Sequence, residues 1–370
     1  MAGDPLRTRL CEEYGAEFPI VAFAHTKDVI AAASNAGAVG VLGSSGSTPD
    51  ELDSDIRWIK ERVGDKPFGI DLIIPASFVQ GNLEDLEAMI PQDHRDFVDG
   101  LMRDNEIPEP RNEPSGTIDA GLFERAQKQL EVIIEHQIPI FASGLGSPAF
   151  IMDRLHDAGT KAWGLIGLRR QAVRELEAGV DTIIAQGGDS GGHSGRIGTF
   201  SLVPEVTMAR DQIRPESLVL AAGGVTTGRH IAAAIALGAD GIWCGTIWQA
   251  TNESETEMYA KQKLVDAVIE DAVQSRATSG KPVRQVRSKW TEAWDAPEAP
   301  DPLPMPLQPM LVAKIKQSID DHHLEDWSGP AAGQGVGHIK SIKPARQVIF
   351  DLMEEAQDTM DRMAGSPVAV

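Results

Sequence analysis

Residues 181–195 read Asp181-Thr182-Ile183-Ile184-Ala185-Gln186-Gly187-Gly188-Asp189-Ser190-Gly191-Gly192-His193-Ser194-Gly195, an apolar run that gives way to a glycine-dense loop. So continuous an apolar run suits a strand buried on both faces of a parallel sheet. Glycine loses much backbone entropy on folding, so a loop carries it where φ is positive or another molecule approaches closely. His193 therefore stands just past a strand's C-terminal end, among amides that can also face a ligand. Its ordinary pKa, near ~6.5, suits proton exchange at neutral pH. The plainer alternative is a tight turn whose histidine caps a neighbouring strand, and the strand–glycine context favours a site.

Working outward, eight short apolar runs read as strands: 19–24, 38–42, 68–74, 138–143, 161–166, 181–185, 218–222 and 240–244. Helix-period stretches fall between most of them, at 28–35, 49–63, 122–135, 147–158, 169–178 and 228–236. That alternation predicts an α/β fold, a (β/α)8 TIM barrel. An open doubly wound sheet is the alternative, weakened because no Gly-x-Gly-x-x-Gly follows the first strand. Segment 76–119, acidic and carrying Pro91, Pro108, Pro110 and Pro114, reads as an excursion over the barrel mouth with helix near 83–89 and 93–102. After the eighth strand, a mixed-charge helical stretch at 254–273 and a proline cluster at 297–309 are too long for an ordinary loop. The expected organisation is a barrel over 1–250, a small subdomain over the active-site face at 251–340, and a C-terminal helix within 341–370 that completes the barrel wall.

Composition narrows the class. The chain has 370 residues, 42% of them hydrophobic, enough for a large core. A net charge of −21 disfavours nucleic acid and anionic membrane as partners. The two cysteines, Cys11 and Cys244, match neither a zinc spacing nor a disulfide scaffold, which fits a reducing cytoplasm. No apolar leader or membrane-length run appears, so the expectation is a cytoplasmic, non-membrane protein. No metal is expected: His322-His323 lack a suitably spaced third ligand and read as a solvated face.

The last two strands carry a second signal. The seventh ends in Ala221-Ala222-Gly223-Gly224-Val225 before a helix, and the eighth ends in Trp243-Cys244-Gly245-Thr246. Barrels of this kind build phosphate sites from those two loops and a helix N-terminus. A phosphate group there and an imidazole from the sixth strand suggest a mononucleotide across the mouth, with FMN the natural candidate.

At these residues the chain resembles the nitronate monooxygenase family, formerly 2-nitropropane dioxygenases, FMN-dependent TIM barrels. The likeness is strongest at Ala178–Asp181 and from Ala185-Gln186-Gly187 to Gly191-Gly192-His193. It continues through Ala221–Val225, Ala234–Gly241, Gly245-Thr246, Asn252-Glu253-Ser254 and Gly333-Gln334-Gly335-Val336-Gly337. It implies that Gly223, Gly224, Gly245 and Thr246 hold the FMN phosphate and that Ala222 also contacts the cofactor. Gln186, Gly191 and Gly192 would line the isoalloxazine, Ala22-Phe23-Ala24 would pass beneath it, and His193 would be catalytic. The chain departs from the family pattern in three places: Ala22-Phe23-Ala24-His25 stands where the family's first strand usually ends in a proline–methionine pair, Asp71 where many relatives carry asparagine, and Ile247-Trp248 where arginine or alanine and then phenylalanine is usual. A carboxylate at Asp71 would repel an anionic reduced flavin unless protonated or paired.

The activity implied is oxidation of alkyl nitronates, or of nitroalkanes, with dioxygen to carbonyl compounds and nitrite. NAD(P)H-dependent reduction of quinones or enoyl thioesters on the same barrel is the alternative. A flavin-binding protein without turnover is a third reading, which the intact His193 opposes. The partners expected are a small-molecule substrate and dioxygen, with NAD(P)H and a homodimer left open. Trp243, Trp248 and Cys244 read as core, and Lys281, Arg284 and Arg287 as a solvated basic face that could receive an anionic tail.

Overall fold

The computed structural model describes residues 4–74, 83–113 and 122–365. Eight parallel strands close a barrel: β1 (Ile20–Ala24), β2 (Val39–Gly43), β3 (Phe68–Ile73), β4 (Ile140–Gly144), β5 (Lys161–Ile166), β6 (Thr182–Gln186), then, after a short strand β7 (Gly192–His193) that lies outside the barrel, β8 (Leu218–Ala222) and β9 (Gly241–Cys244). β1 pairs with both β2 and β9, so no barrel edge is left open. All eight expected strands appear, with ends shifted by at most two residues.

Alternation along each strand explains why they read as continuously apolar. Val21, Val39, Val41, Ile140, Ala142, Trp163, Ile184, Leu220 and Trp243 fill the barrel interior. Their neighbours Ala22, Leu42, Ile70, Leu72, Phe141, Ile183, Ala185, Val219 and Ile242 pack outward in the other large core. Burying each large aliphatic side chain stabilises the fold by about 1.5–3 kcal/mol. Leu10, Tyr14 and Ala16 join the interior from the segment before β1, and Thr8 bonds the carbonyl of Asp240, just ahead of β9. This segment therefore plugs the N-terminal end of the barrel, and the loops after the strands form the other end.

Helices Lys27–Asn35, Pro49–Val63, Leu122–Glu135, Met152–Asp157, Arg169–Glu177 and Gly228–Ala236 lie where periodicity places them. Thr199–Ile213, between β7 and β8, is a helix the periodicity does not reveal; Pro204 lies inside it and its buried residues include Thr207 and Arg210. Arg210 makes a buried ion pair with Asp240 at 2.8 Å, an anchor that no apolar pattern signals.

The C-terminal helix Ala345–Met363 packs on Gly228–Ala236 and Lys27–Asn35. Gly228 allows the approach, because a Cβ there would collide with the amide nitrogen of Ala356 and the carbonyl of Leu352. The same helix returns Glu355 to the Gly228 amide, at 2.8 Å, where a carboxylate favours a helix N-terminus. Gly228→Ala is expected to lower stability by roughly 1–3 kcal/mol, read as a fall in melting temperature by circular dichroism.

The excursion at 83–113 contains helices Leu83–Ala88 and Gln92–Asp104; the rest of the expected excursion, including Pro114, lies outside the described residues. The stretch expected to be helical at 254–273 is helical chiefly over Met258–Asp266. Its end becomes β10 (Ala272–Ser275), antiparallel to β11 (Val283–Val286), because the ladder partner comes from farther along the chain. β11 also pairs with β7, so the expected histidine loop is in part an edge of a second, three-stranded sheet. A further core unites Ile90, Val98 and Met102 with Trp290, Trp294, Leu311, Ile315 and Trp327, joining the excursion to the segment after β9. Among the described residues no helix is long and apolar enough to cross a membrane.

Candidate active site

Ala185-Gln186 closes β6, and the loop from Gly187 carries the chain across to β7, where His193 is in register with Val283 of β11. The imidazole is half-buried, and its Nε2 lies 2.8 Å from the hydroxyl of Ser279 in the turn between β10 and β11. Burial, and then the nearby Lys281 ammonium, hold its pKa below the usual imidazole value. The ring is therefore neutral at pH 7 and can accept a proton.

The two predicted anchor turns lie side by side, since Ala222 of β8 is in register with Trp243 of β9. The amides of Gly223, Gly224 and Val225, and those of Gly245 and Thr246, donate to no acceptor among the described residues. Backbone donors are rarely left unpaired without a ligand or water to take them. The Thr246 hydroxyl accepts the Gly333 amide at 3.0 Å, which leaves its own proton free to donate. Gly223 and Gly224 adopt φ of 102° and 71°, as the turn requires. They also line a cavity of about 280 Å³ with Asp189, Thr199, His230 and Gln334.

The glycines of the histidine loop divide into two kinds. A Cβ on Gly187 would collide with Thr199, and one on Gly191 would meet Ala332 and Gly333 at 2.8 Å, so these positions serve loop-against-loop packing. A Cβ on Gly192 would meet nothing within 4 Å. Gly192, with φ of 70°, therefore opens on space rather than on another loop.

The first-strand residues also separate. Ala22 is buried in the outward-facing core and Ala24 packs against it, so only their backbones are available to the mouth. Phe23 points inward and stacks on Trp243, with ring centroids 5.2 Å apart. His25 folds over the end of β2, its Nδ1 2.9 Å from the carbonyl of Gly43. Gln186 ends β6 half-buried, and Ala222 is buried in the barrel interior.

Asp71 alternates with the outward-facing Ile70 and Leu72, which turns its carboxyl inward, and it is 7% exposed. No side-chain partner is present among the described residues, and burial raises its pKa to about 7. A folded-state pKa above the unfolded value of 3.8 means stability is full below that value and falls as pH rises toward 7. Asp71→Asn is therefore expected to raise the melting temperature at pH 8 and to leave it little changed at pH 4; equal effects at both would show that the carboxyl is paired.

Three contributors escape a reading by motif. Asp189 accepts the Thr199 amide at 2.6 Å and its carbonyl takes the Gln334 amide at 2.9 Å, which ties the histidine loop to the late glutamine–glycine element. Ser279 carries no sequence signal. Arg284, read as part of a solvated basic face, instead donates to the carbonyls of Gly188, at 3.0 Å, and Ala272, at 2.7 Å. Its place on β11, a strand the sequence does not announce, turns it toward the loop. Trp248 is fully buried and donates to the Cys244 carbonyl at 2.7 Å, as a core residue.

The chain matches the nitronate monooxygenase family over residues 9–355. It belongs to the nitronate monooxygenase family. Like other members of that family it is an enzyme, a flavin oxidoreductase. It is 41% identical to "Putative monooxygenase Rv1533" of Mycobacterium tuberculosis, over 97% of this chain and 99% of that protein. Nitroalkane oxidase from Streptomyces ansochromogenes superposes with a TM-score of 0.78 at 26% identity, covering 96% of this chain and 99% of its own. FabK from Thermotoga maritima superposes with a TM-score of 0.76 at 29% identity, covering 97% and 99%.

Proposed function

We propose that this enzyme oxidises alkyl nitronates and their parent nitroalkanes with FMN and dioxygen, releasing a carbonyl compound and nitrite. The observation that carries the reading is a half-buried imidazole at the mouth of a barrel whose adjacent last two turns carry amides with no acceptor among the described residues. The donors after β8 and β9 suit a phosphate, and the open space at Gly192 and the buried carboxyl of Asp71 suit a polar ring system. When bound, FMN supplies the electron acceptance that the oxidation requires.

The protein's own part is proton transfer and orientation. His193 takes the α-proton of a neutral nitroalkane onto a ring nitrogen, and the C–H electron pair remains on the substrate as the nitronate. As imidazolium it then donates a hydrogen bond to the nitronate oxygens. With the His193 pKa below its usual value, kcat/KM for a nitroalkane is expected to fall only below a midpoint under about 6.5, while that for a preformed nitronate loses this limb. Steady-state rates across pH check it, and identical profiles for the two substrates would remove His193 as base.

The likeness to FabK favours a second reading, NAD(P)H-driven reduction of a quinone or enoyl thioester. One anaerobic experiment separates the two: mix the yellow protein with nitronate, NADH or NADPH and follow bleaching. Bleaching by nitronate alone supports the first reading, and rapid bleaching by a nicotinamide overturns it.

A further inference from the structure

The geometry assigns Ser279 as the positioning residue of His193: its hydroxyl holds the ring as the Nε2–H tautomer and leaves Nδ1 as the proton-accepting atom. This rests on the reading of His193 as the base. Among the described residues Ser279 is the side chain hydrogen-bonded to the ring, at 2.8 Å, and it is 6% exposed. A serine hydroxyl has one proton to give. The Lys281 carbonyl, at 3.3 Å, can take that proton while the Lys281 amide reaches Oγ at 3.4 Å; directed so, the proton leaves a lone pair of Oγ for the imidazole, and Nε2 donates to it. Nδ1 then carries the lone pair and meets no partner among the described residues.

The turn that carries Ser279 is held from the core that contains Ala277 and Trp290 rather than from the barrel. The Gly280 amide donates to the Arg276 carbonyl at 2.8 Å, and the Arg276 guanidinium reaches the carbonyls of Gly280 and Pro302, each at 3.0 Å. Trp290 Nε1 donates to Thr278 Oγ1 at 3.1 Å, and Gln308 donates to the Ala277 carbonyl at 2.7 Å. The register of Val283 with His193 brings this turn to the imidazole. Ring orientation at the barrel mouth is thereby set by side chains of the segment after β9. Burial, together with the Lys281 ammonium on the same turn, favours a neutral imidazole.

The test uses the 15N-labelled, FMN-loaded enzyme and long-range proton–nitrogen correlation spectra, with the His193 signals identified by their loss in His193→Asn. The wild type is expected to show a neutral ring protonated at Nε2. Ser279→Ala is expected to lose that single-tautomer pattern and to reduce kcat about tenfold at little cost to KM, and Ser279→Thr to restore both. A wild-type ring protonated at Nδ1, or an unchanged tautomer in Ser279→Ala, overturns the assignment. Full turnover by His193→Asn would instead sink the reading of His193 as base, while the tautomer still decides the role of Ser279.

Discussion

His193→Asn is expected to bind FMN as the wild type does and to turn over nitroalkane roughly 10²- to 10⁴-fold more slowly. Asparagine keeps a polar group that can reach Ser279, but it has no nitrogen that accepts a proton at neutral pH. The free amides proposed to anchor the phosphate belong to the turns after β8 and β9, whereas His193 lies on β7 in a different sheet. Flavin content after gel filtration, read from visible absorbance, and the rate with nitroalkane measure the two halves of the expectation. Loss of flavin along with rate would mean that the imidazole seats the cofactor.

Gly223→Ala is expected to do the reverse and strike binding first. Gly223 has φ of 102°, and a Cβ there would stand 2.8 Å from the Thr199 hydroxyl and 3.1 Å from the Gly187 carbonyl. Strain of this kind costs on the order of 1–3 kcal/mol, and the turn relieves it by moving its free amides. The FMN dissociation constant should rise about tenfold or more, measured by quenching of flavin fluorescence. A variant that folds and binds FMN undiminished would remove this turn from the phosphate site.

The barrel is legible in the sequence because each strand announces itself locally. Runs such as Ile183-Ile184-Ala185 and Leu218–Ala222 are apolar on both faces, and helix-period stretches with recognisable starts separate most of them. The Thr48–Glu51 capping box with Pro49 is one such start. The helix Thr199–Ile213 is not legible, because an internal proline and buried polar residues blur its period. The two anchor turns can be located by their glycines, yet glycine alone does not say what it makes room for. Gly191 admits another loop, and Gly192 opens on space.

The linear chain carries the closed α/β barrel, the family resemblance, the candidate base and the pair of turns suited to a phosphate, because all of these depend on neighbours within a few residues or on strand order. It took the folded chain to put His193 on a strand edge against β11, Ser279 on its ring, Arg284 inward, and Asp71 in a buried place with no side-chain partner among the described residues. Such contacts join residues far apart along the chain, as the register of His193 with Val283 does. Local periodicity carries no record of such a pairing, since its energy comes from burial and hydrogen bonds that exist only once the chain has closed on itself.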